Sequence, residues 1–79
     1  MTTMREIAEQ VCAKHGVTVA DIRGPYRPHK ITRARHETFA RIRSETTFSL
    51  PSIGRWFHKD HTTVLYGARK YETGSRRLG

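Results

Sequence analysis

Between residues 49 and 63 the chain starts two helices with almost nothing between them. Ser49 is a good N-cap, and Pro51 falls in a first turn, where a missing N–H costs nothing. Leu50, Ile53 and Phe57 recur at helical spacing and form a core face. Only His58 and Lys59 separate Phe57 from Asp60, which caps a further helix. The segment therefore reads as helix, tight turn, second helix. That second helix opens on Asp60-His61-Thr62-Thr63, four short polar residues. A recognition helix whose N-terminal residues reach base edges in a major groove needs such an opening.

The rest of the chain reads as helices that could surround this pair. Residues 3–15 form a first helix, with Thr3 and Glu6 at capping-box spacing and Met4, Ile7, Ala8, Val11 and Cys12 on one face. Gly16 stops it as a left-handed cap. Thr18 to Arg23 is a short second helix, with Thr18 as its cap, Asp21 in its first turn and Val19 and Ile22 pointing inward. Residues 24–30 hold two prolines and form a basic loop. Residues 31–45 form the longest helix, with Ile31, Ala34, Thr38/Phe39 and Ile42 inward and Arg33, Arg35, Arg41 and Arg43 on the other face. The fifth helix runs from its Asp60 cap to Tyr71 or Glu72, with Val64, Ala68 and Tyr71 inward, and residues 73–79 form a flexible tail. No strand signal exists. The expected fold is an all-α, five-helix single domain over residues 1–79, with a helix-turn-helix.

Charge says which partners suit such a domain. Fifteen Lys and Arg against seven Asp and Glu give a net +8. Charge of that size argues about partners and not about fold. Nucleic acid comes first, then an anionic membrane surface, then an acidic protein. One Trp makes a stacking platform for single strands a poor fit. The basic face interleaves few large apolar residues, which disfavours a membrane surface. The single cysteine, Cys12, allows no intrachain disulfide and fits a reducing cytoplasm. As a small residue on an apolar helix face it reads as core. No apolar run approaches a membrane span, and no signal-peptide core opens the chain. The histidines show no zinc-ligand pairing, and no Gly-rich phosphate loop, carboxylate pair or nucleophile–base pair stands out. The expected protein is not an enzyme and takes no cofactor, metal or small-molecule ligand.

The block Ser49-Leu50-Pro51-Ser52-Ile53-Gly54-Arg55-Trp56-Phe57, turn, Asp60-His61-Thr62-Thr63-Val64 resembles the signature of the C-terminal DNA-binding domain of the bacterial replication initiator DnaA. The likeness extends over nearly the whole chain. Val17 to Ile22 resembles the start of the family's second helix, and Ile31-Thr32-Arg33-Ala34-Arg35 matches its Arg-x-Arg pair. The resemblance implies binding of double-stranded DNA at a short, asymmetric A·T-rich box. Arg33 then enters the minor groove and Arg35 supports the phosphate or the groove edge. Narrow A·T grooves have a deep negative potential that attracts arginine.

The other site residues follow from the same geometry. His61, Thr62 and Thr63 face bases or a phosphate at the helix start, and Asp60 combines capping with a base contact. Lys59 stands where the family usually has Arg, placed for a phosphate or a guanine. Lys30, with Arg27 and His29, contacts phosphates from the loop. Ser49 touches a phosphate where its helix crosses the backbone, and Arg69 and Lys70 either hold flanking backbone or stay solvated. An asymmetric box has no dyad, so a monomer is expected.

Three positions depart from the family pattern. The turn is one residue shorter than the usual Gly-Gly-Arg triplet and lacks glycine. Tyr66 replaces the usual His, and His36-Glu37-Thr38 interrupts a helix that is rich in Ala and Met. No P-loop or ATPase sequence accompanies the domain. The expectation is a stand-alone bacterial or phage-encoded regulator in the nucleoid, acting in replication or its control, with replication or regulatory proteins as further partners. The rival reading is a module that works mainly through protein–protein contact with acidic surfaces. Structured RNA is a weaker rival, because its deep, narrow major groove would leave the fifth helix unused.

Overall fold

A computed structural model describes the backbone of residues 3–78 and the side chains of residues 3–73. Five helices follow one another: α1 (Met4–His15), α2 (Val19–Arg23), α3 (His29–Glu45), α4 (Leu50–Phe57) and α5 (His61–Leu78). No strand occurs among the described residues. The all-α, five-helix architecture is the expected one.

Local chemistry accounts for most helix ends. The Thr3 hydroxyl accepts the Glu6 N–H at 3.1 Å, and Gly16 closes α1 at φ 69°. A complete capping box opens α2: Thr18 accepts from Asp21 N–H and the Asp21 carboxylate accepts from Thr18 N–H, both at 3.0 Å. Such caps matter because a helix of five residues cannot persist on propensity alone.

Two boundaries differ from expectation. Helix α3 begins at His29, two residues early, because Pro28 already has φ −50° and its carbonyl accepts the Thr32 N–H at 3.0 Å. Lys30 is thus a first-turn helical residue and not part of the loop. Helix α5 continues in helical backbone to Leu78, past the expected end at Tyr71 or Glu72. Of the expected tail, Gly79 and the side chains of 74–79 lie outside the described residues.

Helix α3 is the centre of the fold. Its Ala34, Phe39 and Ile42 are fully buried against Ile7, Ala8 and Val11 of α1, Ile22 of α2, Ile53 and Phe57 of α4, and Val64 and Ala68 of α5. The Phe39 and Phe57 rings meet edge to face, with centroids 4.7 Å apart, so α4 is fixed directly on α3. Burying one such side chain contributes about 1.5–3 kcal/mol. Cys12 is buried in this core, and burial pushes its thiol up, away from nucleophilic or ligand chemistry.

Two polar residues of the atypical 36–38 segment also lie inside. Thr38 returns its hydroxyl to Ala34 O at 2.8 Å. Glu37, with a side chain 6% exposed, meets Lys14 Nζ at 2.9 Å and His15 Nε2 at 2.8 Å. An ionised carboxylate only accepts, so His15 donates through Nε2. Burial alone would push the Glu37 carboxyl up. The hydrogen bonds from His15 and Lys14 outweigh it and hold the carboxyl below the usual range.

Candidate nucleic-acid interface

The turn between α4 and α5 closes without glycine at its tightest point. His58 takes the left-handed conformation, φ 58° and ψ 39°. That geometry costs a non-glycine residue about 1–2 kcal/mol, although histidine tolerates it better than bulky or branched residues do. Lys59 N–H then donates to Gly54 O at 2.8 Å. The absence of a Cβ is needed one turn earlier instead, at Gly54. A Cβ on Gly54 would lie 2.6 Å from Lys59 O, so glycine at position 54 is a steric requirement of this turn.

From that turn α5 starts as the sequence predicts. Asp60 caps it: its carboxylate accepts the Thr62 N–H at 2.8 Å, and its carbonyl accepts the N–H groups of Thr63 and Val64. The hydrogen bond from the Thr62 backbone, then that from its side chain, holds the Asp60 carboxyl below the usual range. His61 Nδ1 stands 3.3 Å from the same carboxylate. His61, Thr62 and Thr63 are exposed, while Val64 is buried beneath them. Tyr66 is 63% exposed on the outward face, one turn beyond Thr62, with Lys70 Nζ 5.6 Å from its ring centre. Arg69 and Lys70 are exposed on the same face.

The start of α3 divides into two kinds of cation. Arg33 is exposed. Lys30 is also exposed, but its ammonium reaches back to the end of α1, 3.5 Å from where a Cβ on Gly16 would sit. Arg35 corrects the expectation of a residue facing phosphate or groove edge. It is 8% exposed, and its guanidinium donates to three backbone carbonyls: Ile22 at 2.8 Å, Gly24 at 3.1 Å and Tyr26 at 2.9 Å. Arg35 follows Ile31 by four residues and precedes Thr38 by three, so its helical phase is that of the inward stripe, and α2 and its following loop close over it. A buried guanidinium must find acceptors, and the carbonyls at the end of α2 need donors.

Lys59 is likewise turned inward. It is half-buried and donates to Gly24 O at 3.0 Å. Burial first, then the Arg35 charge, lowers its ammonium below the usual lysine range. Ser49 is exposed, and its oxygen caps α4 by accepting the Ser52 N–H at 3.3 Å. Its hydroxyl also donates to Ser52 Oγ at 3.0 Å. Arg23 is a residue whose role sequence reasoning missed. Its Nε donates to Trp56 O at 2.7 Å, and its guanidinium lies 4.5 Å from the Trp56 ring centre. In the sequence it is only a cation ending a short helix.

The surroundings are strongly basic. Between Asp21 and Glu37 the chain carries Arg23, Arg27, Lys30, Arg33 and Arg35 and no carboxylate, and between Glu45 and Glu72 only Asp60 interrupts the positive charge. No described helix is long and apolar enough to cross a membrane.

A capped helix with an exposed polar start, fixed to a preceding helix by a tight turn and flanked by Arg33, which makes no ion pair among the described residues, defines a helix-turn-helix domain of the DNA-binding class. The family model for the bacterial DnaA protein helix-turn-helix matches residues 4–70, and the chain belongs to that family. The chromosomal replication initiator protein DnaA of Cereibacter sphaeroides is 38% identical over 71 residues, which cover 89% of this chain and 16% of the relative. That of Jannaschia sp. is 39% identical over 71 residues, 89% of this chain and 15% of the relative. That of Deinococcus radiodurans is 39% identical over 67 residues, 85% of this chain and 14% of the relative. The chain therefore matches only a small part of the length of these replication initiators.

Proposed function

We propose that this domain reads a short, A·T-rich, DnaA-box-like site in double-stranded DNA, as a monomer, in replication or its regulation. The N-terminal turn of α5 enters the major groove with His61, Thr62 and Thr63 at base edges, and Asp60 adds a base contact to its capping role. Arg33 enters the adjacent minor groove, where A·T sequence deepens the negative potential. Arg27, Lys30, Arg69 and Lys70 meet flanking phosphates, and Ser49 touches the backbone that α4 crosses. Arg35 supports this surface from within. The observation that carries the reading is the start of α5: three exposed polar side chains on a rigidly capped helix end, beside a basic arm without carboxylates.

Selection of bound duplexes from a random pool, followed by titration of the winner over a salt series, tests it. Five to seven phosphate contacts give a log–log salt slope of about −5 to −6. Enrichment of an A·T-rich box with such a slope supports the proposal. A slope near zero, or equal competition by double-stranded RNA, overturns it. In that case the basic face serves an acidic protein or another polyanion.

A further inference from the structure

Among the described residues, three cations bind carbonyls at or just beyond helix ends instead of carboxylates, and together they tie α2 to α3 and to the α4–α5 turn. Arg35 of α3 takes Ile22 O, Gly24 O and Tyr26 O. Lys59 of the turn takes Gly24 O. Arg23, the last residue of α2, reaches the opposite way to Trp56 O near the end of α4, and its terminal nitrogen is 3.2 Å from His58 Nε2. A guanidinium can only donate, so His58 accepts there through Nε2. The end of α2 thus caps the end of α4, and the turn after α4 caps the end of α2.

The electrostatics suit the exchange. Helix C-termini carry partial negative charge and orphan carbonyls, so cations are favoured there. Arg35 and Lys59 share Gly24 O in spite of their mutual repulsion, which the carbonyl offsets. The sequence distances are short on both sides. Lys59 immediately precedes Asp60, the cap of α5, and Arg35 stands two residues after Arg33. One group of carbonyls therefore anchors the start of α5 and the basic arm of α3 together.

We infer that Lys59 is a positioning residue and not a DNA contact: through Gly24 it locks the helix-turn-helix turn to the arm that carries Arg33, so that both DNA-facing elements move as one body. The inference rests on the proposed DNA reading for its consequence, but the lock exists in the protein without DNA. It also separates two roles that one lysine beside a recognition helix can have. A phosphate contact adds affinity uniformly over all sequences and one counterion to the salt slope. A lock adds neither, and sharpens sequence preference at both grooves.

The test uses the whole chain with Lys59→Met, which keeps the stem and removes the ammonium. Expected in the protein alone are shifted resonances and faster exchange of the backbone amides of residues 24, 26, 27, 29 and 30 on loss of the anchor. On the selected duplex, affinity falls about tenfold, preference relaxes at the positions read by Arg33 as well as those read by α5, and the salt slope stays at the wild-type value. Lys59→Gln, which removes the charge and keeps a polar end, gives the same pattern to a smaller degree and decides the matter if Lys59→Met does not fold. A slope reduced by about one, equal weakening on every sequence and unmoved loop amides would overturn the lock and make Lys59 a phosphate contact. Unchanged amides with unchanged binding overturn it as well. If the wild type binds no duplex preferentially, the DNA reading falls, while the amide measurement still decides the lock.

Discussion

Along the second half of α3, where α1 and α5 pack on it, cations find carboxylates. Lys14 meets Glu37 at 2.9 Å, Arg41 meets Glu45 at 2.7 Å, and Arg43 stands 3.9 Å from Glu72. From the loop before α3 into its first turns, and along the outward face of α5, the pattern reverses. Arg27, Lys30, Arg33, Arg69 and Lys70 are exposed, and none of them makes an ion pair among the described residues. The two regions show that a net charge of +8 is not a property of the whole surface. One side spends its charge internally and releases few counterions on meeting a polyanion. The other keeps its charge available, and it surrounds the helix end whose side chains face outward.

The largest expected effect comes from removing that helix end. The double change His61→Ala and Thr62→Ala is expected to cost roughly 2–6 kcal/mol on the preferred duplex, from about 1–3 kcal/mol for each contact. Non-specific duplex affinity should hold, because phosphate contacts remain. Folding should hold too, since both side chains are exposed and Asp60 still caps α5. Wild-type binding by this variant would mean that the outward face of α5 is not the reading face.

Next in size is Glu37→Ala on the paired side. It removes a buried acceptor of two cations and is expected to lower stability by about 1–3 kcal/mol, with duplex affinity of the folded protein unchanged. Acid gives the sign. A carboxyl held below its unfolded value stabilises the fold above about pH 4.3, the ordinary glutamate value, and loses that contribution as pH falls through its lower folded value. Thermal melts of the wild type should decline in that window more steeply than melts of Glu37→Ala. Parallel curves would show that the Lys14–Glu37–His15 cluster carries no net stability.

Arg33→Ala and Arg41→Ala set the two regions against each other directly. The first should cost about 1–2 kcal/mol of binding, relax preference at A·T positions and leave the melting temperature alone. The second should change stability by less than about 1 kcal/mol, as exposed ion pairs do, and leave both affinity and salt slope at wild-type values. Equal losses of affinity from the two variants would erase the distinction between the regions.

The smallest effect concerns the turn that joins α4 to the reading helix. His58→Gly and His58→Ala both lose the approach to Arg23, but only glycine relaxes at φ 58°. The glycine variant should be the more stable of the two by about 1 kcal/mol. Equal melting temperatures would place the turn's cost elsewhere.

Most of the framework can be read along the chain because its causes are local. Thr3, Thr18, Ser49 and Asp60 each cap the helix they precede through partners two or three residues away. The 3.6-residue recurrence of Ile7, Val11, Ala34, Ile42, Ile53, Phe57, Val64 and Ala68 fixes which faces are buried. The helix-turn-helix and the outward His61-Thr62-Thr63 follow from those two signals. Arg33 stays at the surface, where its helical phase puts it.

What tertiary structure alone decided are the fates of charges whose partners are distant in sequence. Arg35 lies on the helical phase of Ile31 and Thr38, and a guanidinium can be buried there because α2 and its loop close over it and offer three carbonyls. Lys59 turns to Gly24, 35 residues away, and Glu37 turns to Lys14 and His15, 23 and 22 residues away. Helical periodicity tells which way a side chain leaves its own helix. It cannot tell whether water, a carboxylate or a neighbouring helix end waits there, and for a charged group that difference decides whether it binds a partner or holds the fold together.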